Sequence, residues 1–241
     1  MRTNRKRCRS EALTIPARAC SLIATATLLT ILFGAGLTAP SIPAGASTTI
    51  LGQYGGGRLM AADPDGGYWT ASPAGVLSTF RGAPSLGSPA SSGIRLSQPV
   101  VGMAATSTGG GYWLVASDGG IFSYGDAEFF GSTGSIHLNK PIVGMATTPD
   151  GRGYWLVASD GGIFSYGDAH FYGSTGGIRL NQPIVGMAST PDGGGYWLVA
   201  SDGGIFSYGD ADFNGSTGGI RLNQPIVGMA STPDGGGYWL V

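Results

Sequence analysis

The residues able to do chemistry recur at fixed intervals. Asp118, Asp160 and Asp202 each precede a Gly-Gly pair, Asp126, Asp168 and Asp210 each follow Tyr-Gly, and Asp65, Asp150, Asp192 and Asp234 each precede a glycine. Carboxylates beside glycines either ligate a hard cation together with backbone carbonyls or cap their own turns. Nothing in the spacing matches the dense oxygen pattern of a calcium loop, so turn capping is the expected role. The two histidines, His137 and His170, fall at different phases of the repetition and have no cysteine to join them; a zinc site needs three or four ligands, and no metal site is expected. No serine stands in G-x-S-x-G, and no pair of carboxylates is singled out for glycoside hydrolysis. No catalytic residue and no cofactor are therefore assigned. Of three function classes, secreted hydrolase is the least favoured.

Aromatic residues are the positive signal. Tyr and Trp adjoin at Tyr68-Trp69, Tyr112-Trp113, Tyr154-Trp155, Tyr196-Trp197 and Tyr238-Trp239. They are either packing residues or rings open to a groove where a sugar stacks. One short stretch changes between copies: Glu128, His170 and Asp212 share one slot, and Phe130, Tyr172 and Asn214 share the slot two residues on. Positions two apart lie on one face of a strand, so these six form a candidate recognition edge. The invariant Phe129, Phe171 and Phe213 between them are expected to point inward and be buried.

What must position these residues is a long internal repeat. Residues 141–182 return almost unchanged as 183–224, a near-copy occupies 99–140, a degenerate copy 57–98, and a further copy starts at 225. Trp113, Trp155, Trp197 and Trp239 are each 42 residues apart, while Trp69 lies 44 before Trp113. Such self-similarity fixes the architecture before any motif is weighed. One copy offers four extended segments, 142–147, 153–159, 162–166 and 169–173, separated by turn formers. No stretch has a helical apolar period. In the second segment Tyr154, Leu156 and Ala158 oppose Trp155 and Val157, so both faces are apolar and both need cover. Four short strands per 42 residues predict an all-β propeller of four-stranded blades. A β-solenoid is the alternative. Blades are expected at 57–98, 99–140, 141–182 and 183–224, with a partial fifth at 225–241. A lead-in at 47–56 is expected to supply a closing strand for a five-bladed ring.

The beginning of the chain differs from the rest. Arg2, Arg5, Lys6, Arg7, Arg9 and Arg18 precede an apolar run from Leu22 to Leu37, followed by Ala44-Gly45-Ala46. Basic head, short apolar core and small-residue exit make residues 1–46 an expected secretory signal, too short in its apolar part for a stable membrane span. Both cysteines, Cys8 and Cys20, lie within it. The remainder holds seven basic and thirteen acidic residues, a balance that argues against nucleic acid as a partner.

The text GYWLVASDGGIFSYGDA, followed by F-x-G-S-T-G and PIVGMA, resembles a Gly-rich repeat of exported actinobacterial proteins that is treated as β-propeller-like; there is a looser likeness to five-bladed sugar-binding propellers. The resemblance covers roughly 57–241. It implies a secreted or cell-wall-associated, non-catalytic module that binds cell-wall carbohydrate or an extracellular protein. The competing class is a structural module that forms homo-oligomers through open C-terminal strands.

Overall fold

The computed structural model describes residues 59–241. The expected secretory signal and the lead-in at 47–56 lie outside the described residues. The elements are all strands: β1 (Leu59–Ala62), β2 (Tyr68–Ala71), β3 (Leu77–Phe80), β4 (Val100–Ala105), β5 (Gly111–Ala116), β6 (Ile121–Gly125), β7 (Ile142–Thr147), β8 (Gly153–Ala158), β9 (Ile163–Gly167), β10 (Ile184–Ser189), β11 (Gly195–Ala200), β12 (Ile205–Gly209), β13 (Met229–Ser231) and β14 (Tyr238–Leu240). They form antiparallel sheets in chain order: β1-β2-β3, β4-β5-β6, β7-β8-β9, β10-β11-β12 and β13-β14.

Local sequence explains each hairpin. In the third sheet Ala158 N–H donates to Gly162 O and Gly161 N–H to Ala158 O, while Asp160 Oδ1 accepts from Gly162 N–H at 3.0 Å. Gly161 has φ +77°, and a Cβ there would run into Thr175 Oγ1, so glycine is required both by the turn and by what packs on it. At the other end Thr148 N–H donates to Gly153 O, and Asp150 Oδ1 accepts from Arg152 N–H.

The sheets share one core mode. Trp113 and Val115 from one face of the second sheet bury with Met145, Tyr154 and Leu156 of the third. Trp155 and Val157 then bury with Met187, Tyr196 and Leu198 of the fourth. The alternation read from the sequence is thus the packing rule: the Trp face of each sheet meets the Tyr face of the next. Ring centroids are 5.4 Å apart for Trp69–Tyr112, 5.9 Å for Trp113–Tyr154, 5.7 Å for Trp155–Tyr196 and 5.5 Å for Trp197–Tyr238.

Neighbouring sheets come closest at their first strands, β1 beside β4, β4 beside β7, β7 beside β10 and β10 beside β13. Glycines at matching positions permit this approach. A Cβ on Gly102 would lie 3.5 Å from Gly144 Cα, and one on Gly186 would lie 3.5 Å from Gly228 Cα. Toward the third strands the gap between sheets is wide enough to hold a further stretch of chain. Sheets that converge along one edge and diverge along the other form the fan of propeller blades rather than a flat solenoid stack.

The blades differ from expectation in one respect. Each full sheet has three strands, and the expected fourth, 169–173 and its equivalents, pairs with no ladder. The divergence of the blades is the reason. The segment leaves the sheet plane and fills the opening between two third strands. Gly173 lies against the ring of Tyr208 in the next sheet, as Gly131 lies against Tyr166. Side chains replace the ladder. Trp155 Nε1–H donates to His170 O at 2.7 Å, and the Tyr196 hydroxyl donates to Gly173 O at 2.6 Å while accepting from the N–H groups of Tyr172 and Gly173.

Candidate functional site

The Tyr-Trp pairs resolve to packing. Tyr112, Trp113, Tyr154, Trp155, Tyr196 and Trp197 are all 0 % exposed, so none can stack on a sugar. Each ring also has a polar task. The indole N–H of Trp113, Trp155 and Trp197 donates at 2.7 Å to the carbonyl of Glu128, His170 and Asp212 respectively. Burial pushes the Tyr112 hydroxyl up to about 12; the Tyr154 and Tyr196 hydroxyls are raised by the same cause. Trp239, which no later sheet covers among the described residues, is 56 % exposed. The contrast shows that the next sheet, not the strand itself, buries the indole.

The candidate recognition edge divides. Glu128, His170 and Asp212 are exposed, and what the fold uses at that slot is the backbone carbonyl that receives the Trp hydrogen bond. Any side chain carries that carbonyl, which is why the slot tolerates an acid, an imidazole or another acid. Phe130 and Tyr172 are half-buried in the seam, their rings 5.7 Å from Tyr154 and Tyr196. Asn214 is exposed and its Nδ2 donates to Asp212 O at 3.2 Å.

The expected burial of Phe129, Phe171 and Phe213 is corrected. They are 57 %, 55 % and 62 % exposed. The expectation rested on strand alternation. The segment is not in a sheet, so alternation does not govern it; after Phe129 and Phe171 it is the next residue, Phe130 or Tyr172, that turns into the seam instead. The result is one exposed phenyl ring on each of three successive blades, at the same phase of the repeat, while the first copy has Ser85 at that place. Ile136, Ile178 and Ile220, in the links between blades, are exposed as well.

The aspartates act as turn and strand-end ties. Asp118, Asp160 and Asp202 each accept from the N–H two residues on at 3.0 Å. Asp126, Asp168 and Asp210 accept from the hydroxyls of Thr106, Thr148 and Thr190 across the sheet, at 2.9, 3.0 and 3.2 Å. Thr148 Oγ1 also lies 3.0 Å from Asp150 Oδ1, so two carboxylates of neighbouring turns converge on one hydroxyl. In the equivalent pair of the fourth sheet, the Gly194 N–H and the Thr190 hydroxyl hold Asp192 below the usual carboxylate range. Burial, reinforced by the nearby Asp192 charge, raises Asp210. Among the described residues no group of three or more His, Cys, Asp or Glu is placed to hold a metal ion. His137 and His170 are exposed at different phases.

The exposed Phe row was present in the sequence as an invariant residue between two variable ones. What concealed it was the assumption of a fourth strand.

No protein family matches the chain, and no curated protein matches it. Among solved structures, the β-propeller domain of Cps50 (Swd1) from Myceliophteria thermophila is similar, with a TM-score of 0.45 and 10 % identity over 81 % of this chain. The similar region spans 62 % of that domain's chain.

Proposed function

We propose that this chain is an exported, non-catalytic binding module of the cell wall, presenting one equivalent contact per blade to a repetitive carbohydrate. The observation that carries the reading is the row of exposed phenyl rings at Phe129, Phe171 and Phe213. A large apolar ring left open at the same place in successive copies is a liability to solubility unless something covers it. A polymer with a regular repeat is matched by a regular array, and several weak contacts in series give useful avidity where one does not. The hydrogen-bonded role of each aspartate series and the absence of a unique polar cluster among the described residues support a binding role over hydrolysis. Export rests on the basic head and apolar core of residues 1–46.

The test is co-sedimentation of the purified protein with insoluble peptidoglycan. The unsubstituted protein is expected in the pellet, and the F129A/F171A/F213A variant in the supernatant with an unchanged melting temperature, since exposed rings contribute little to folding. Equal pelleting of both proteins, or pelleting of neither, rejects the reading.

A further inference from the structure

The outer edge of each blade carries a second feature, independent of the phenyl row. In the third sheet the hydrogen bonds from Ala158 N–H to Gly162 O and from Asp168 N–H to Arg152 O fix the antiparallel phase. Together with the register Trp155↔Ser165 and Val157↔Ile163, they place Ile163 and Ser165 at non-hydrogen-bonded positions, where N–H and C=O point away from β8. The fourth segment would ordinarily pair with these groups, but it sits in the seam. Among the described residues no backbone or side-chain group bonds to them. Ile121 and Ser123 in β6, and Ile205 and Ser207 in β12, repeat the arrangement. These three blades therefore present an unpaired stretch of strand edge, bounded at one end by the bond from Thr175 N–H to Gly161 O and its equivalents from Thr133 to Gly119 and Thr217 to Gly203, and such a stretch is a template for another strand.

Charge narrows what fits. The stretch 117–130 around the first of these edges contains Asp118, Asp126 and Glu128 and no Lys or Arg. The matching stretches around the other two hold two acids with His170, and three acids, again without Lys or Arg. Two such edges brought together would oppose like charges, which disfavours a second copy as the occupant. An incoming strand with basic residues at its ends meets both the open donors and acceptors and the flanking carboxylates.

We propose that the β6, β9 and β12 edges are docking sites for an extended, basic polypeptide segment that adds to each blade as its fourth strand. The backbone supplies the common docking mode, as in other strand-addition complexes. The changing neighbour at Glu128, His170 and Asp212 makes the three edges unequal in preference, the acidic first and third edges favouring Lys or Arg more than the second. With the phenyl row on the same rim, the module would hold a protein partner and a polymer at once.

The probe is a synthetic, acetylated peptide of about eight residues, alternating Val and Thr, with Lys at each end, labelled for fluorescence anisotropy. It should bind the full chain saturably and more weakly as salt rises. The same peptide with Glu at each end should bind about tenfold more weakly or worse. The S123P/S165P/S207P variant removes the outward N–H groups, at a position where an edge strand tolerates proline, together with three buried Ser hydroxyls that have no hydrogen-bond partner among the described residues, and should weaken binding of the Lys peptide by about tenfold or more. In hydrogen exchange of the unsubstituted protein, the Ile163 and Ser165 amides should exchange quickly alone and slow on peptide addition, while Phe164 and Tyr166 are slow throughout. No binding of the Lys peptide, equal binding of the Glu peptide, or equal binding to the proline variant overturns the proposal. Should the proline variant fail to fold, unchanged exchange at Ile163 and Ser165 overturns it alone. Protection of these amides that grows with protein concentration, without peptide, assigns the edge to a second copy and rejects the basic partner. F129A/F171A/F213A should keep peptide binding whatever it does to wall binding, so the two proposals fail separately.

Discussion

Tyr154 shows how much one side chain carries. Its ring lies in the core between two sheets, and its hydroxyl crosses the seam to serve three backbone groups: it accepts from Phe130 N–H at 3.2 Å and Gly131 N–H at 3.1 Å and donates to Gly131 O at 2.6 Å. Tyr154→Phe keeps the ring and strips all three bonds at once. The expected cost is about 1–3 kcal/mol, the penalty for leaving buried polar groups unmade. Thermal melting should show it as a fall of roughly 2–4 °C for each kcal/mol. Tyr196→Phe, with the same three partners one blade on, should cost the same within error. A fall in only one of the two would mean that the seams are not equivalent. The same reasoning separates the variable slots from the fixed ones. Glu128, His170 and Asp212 vary because only their carbonyls are used, whereas Tyr and Trp do not vary because their hydroxyl and indole N–H are.

At the level of the element, the first strand is defined by its glycine. Gly102, Gly144, Gly186 and Gly228 bring successive first strands into van der Waals range. At Gly102 even a Cβ would stand 2.6 Å from Val115 Cγ1. Gly144→Val adds a branched side chain between two strand backbones and should destabilise by about 1–3 kcal/mol, the usual cost of overpacking; chemical denaturation reads it directly. A neutral result would mean that the blades do not converge there. The third strand and the segment after it give the complementary case. Gly125, Gly167 and Gly209 all adopt φ +68° where the strand ends. In the degenerate first copy Arg81 stands at that place with φ 53°, a left-handed conformation that a non-glycine residue adopts at some cost. The element thus survives loss of its preferred residue when the surrounding blade is intact.

For the described molecule, stability is a sum over seams, and three of them hold a fully buried tyrosine. Tyr112, Tyr154 and Tyr196 all have raised values, from burial first. A phenol raised above its unfolded value of 10.0 favours the folded state while it stays neutral; that contribution is fully present below pH 10 and is lost as pH rises toward the folded value, about 12 for Tyr112. Because folding removes protons from none of these groups below pH 10, their share of stability should be flat up to that point and fall steeply beyond it. Melting temperature followed between pH 9 and pH 12, with tyrosinate absorbance at the transition, checks this. Ionisation at pH 10 without loss of fold would show the hydroxyls to be open to water.

The sequence alone determined the repeat, its all-β character and the two-faced packing, because periodicity in the chain is periodicity in space and alternation of Tyr-x-Leu against Trp-x-Val allows one burial pattern. It located the turn-capping aspartates at 118, 160 and 202 and at 150, 192 and 234, whose task is satisfied within two residues, but not the different task of Asp126, Asp168 and Asp210, which accept from threonines 20 residues away across the sheet. It misread the stretch 127–131 and its equivalents. Locally that stretch reads as a strand, and nothing within it records that the blades diverge at the rim and draw it out of the sheet to meet a Trp from its own blade and a Tyr from the next. Only the tertiary arrangement decided which Phe is exposed, that the Tyr-Trp pairs at 112–113, 154–155 and 196–197 are sealed from solvent, and that the third strand is left with an open edge, since each depends on the angle between sheets rather than on the residues within one.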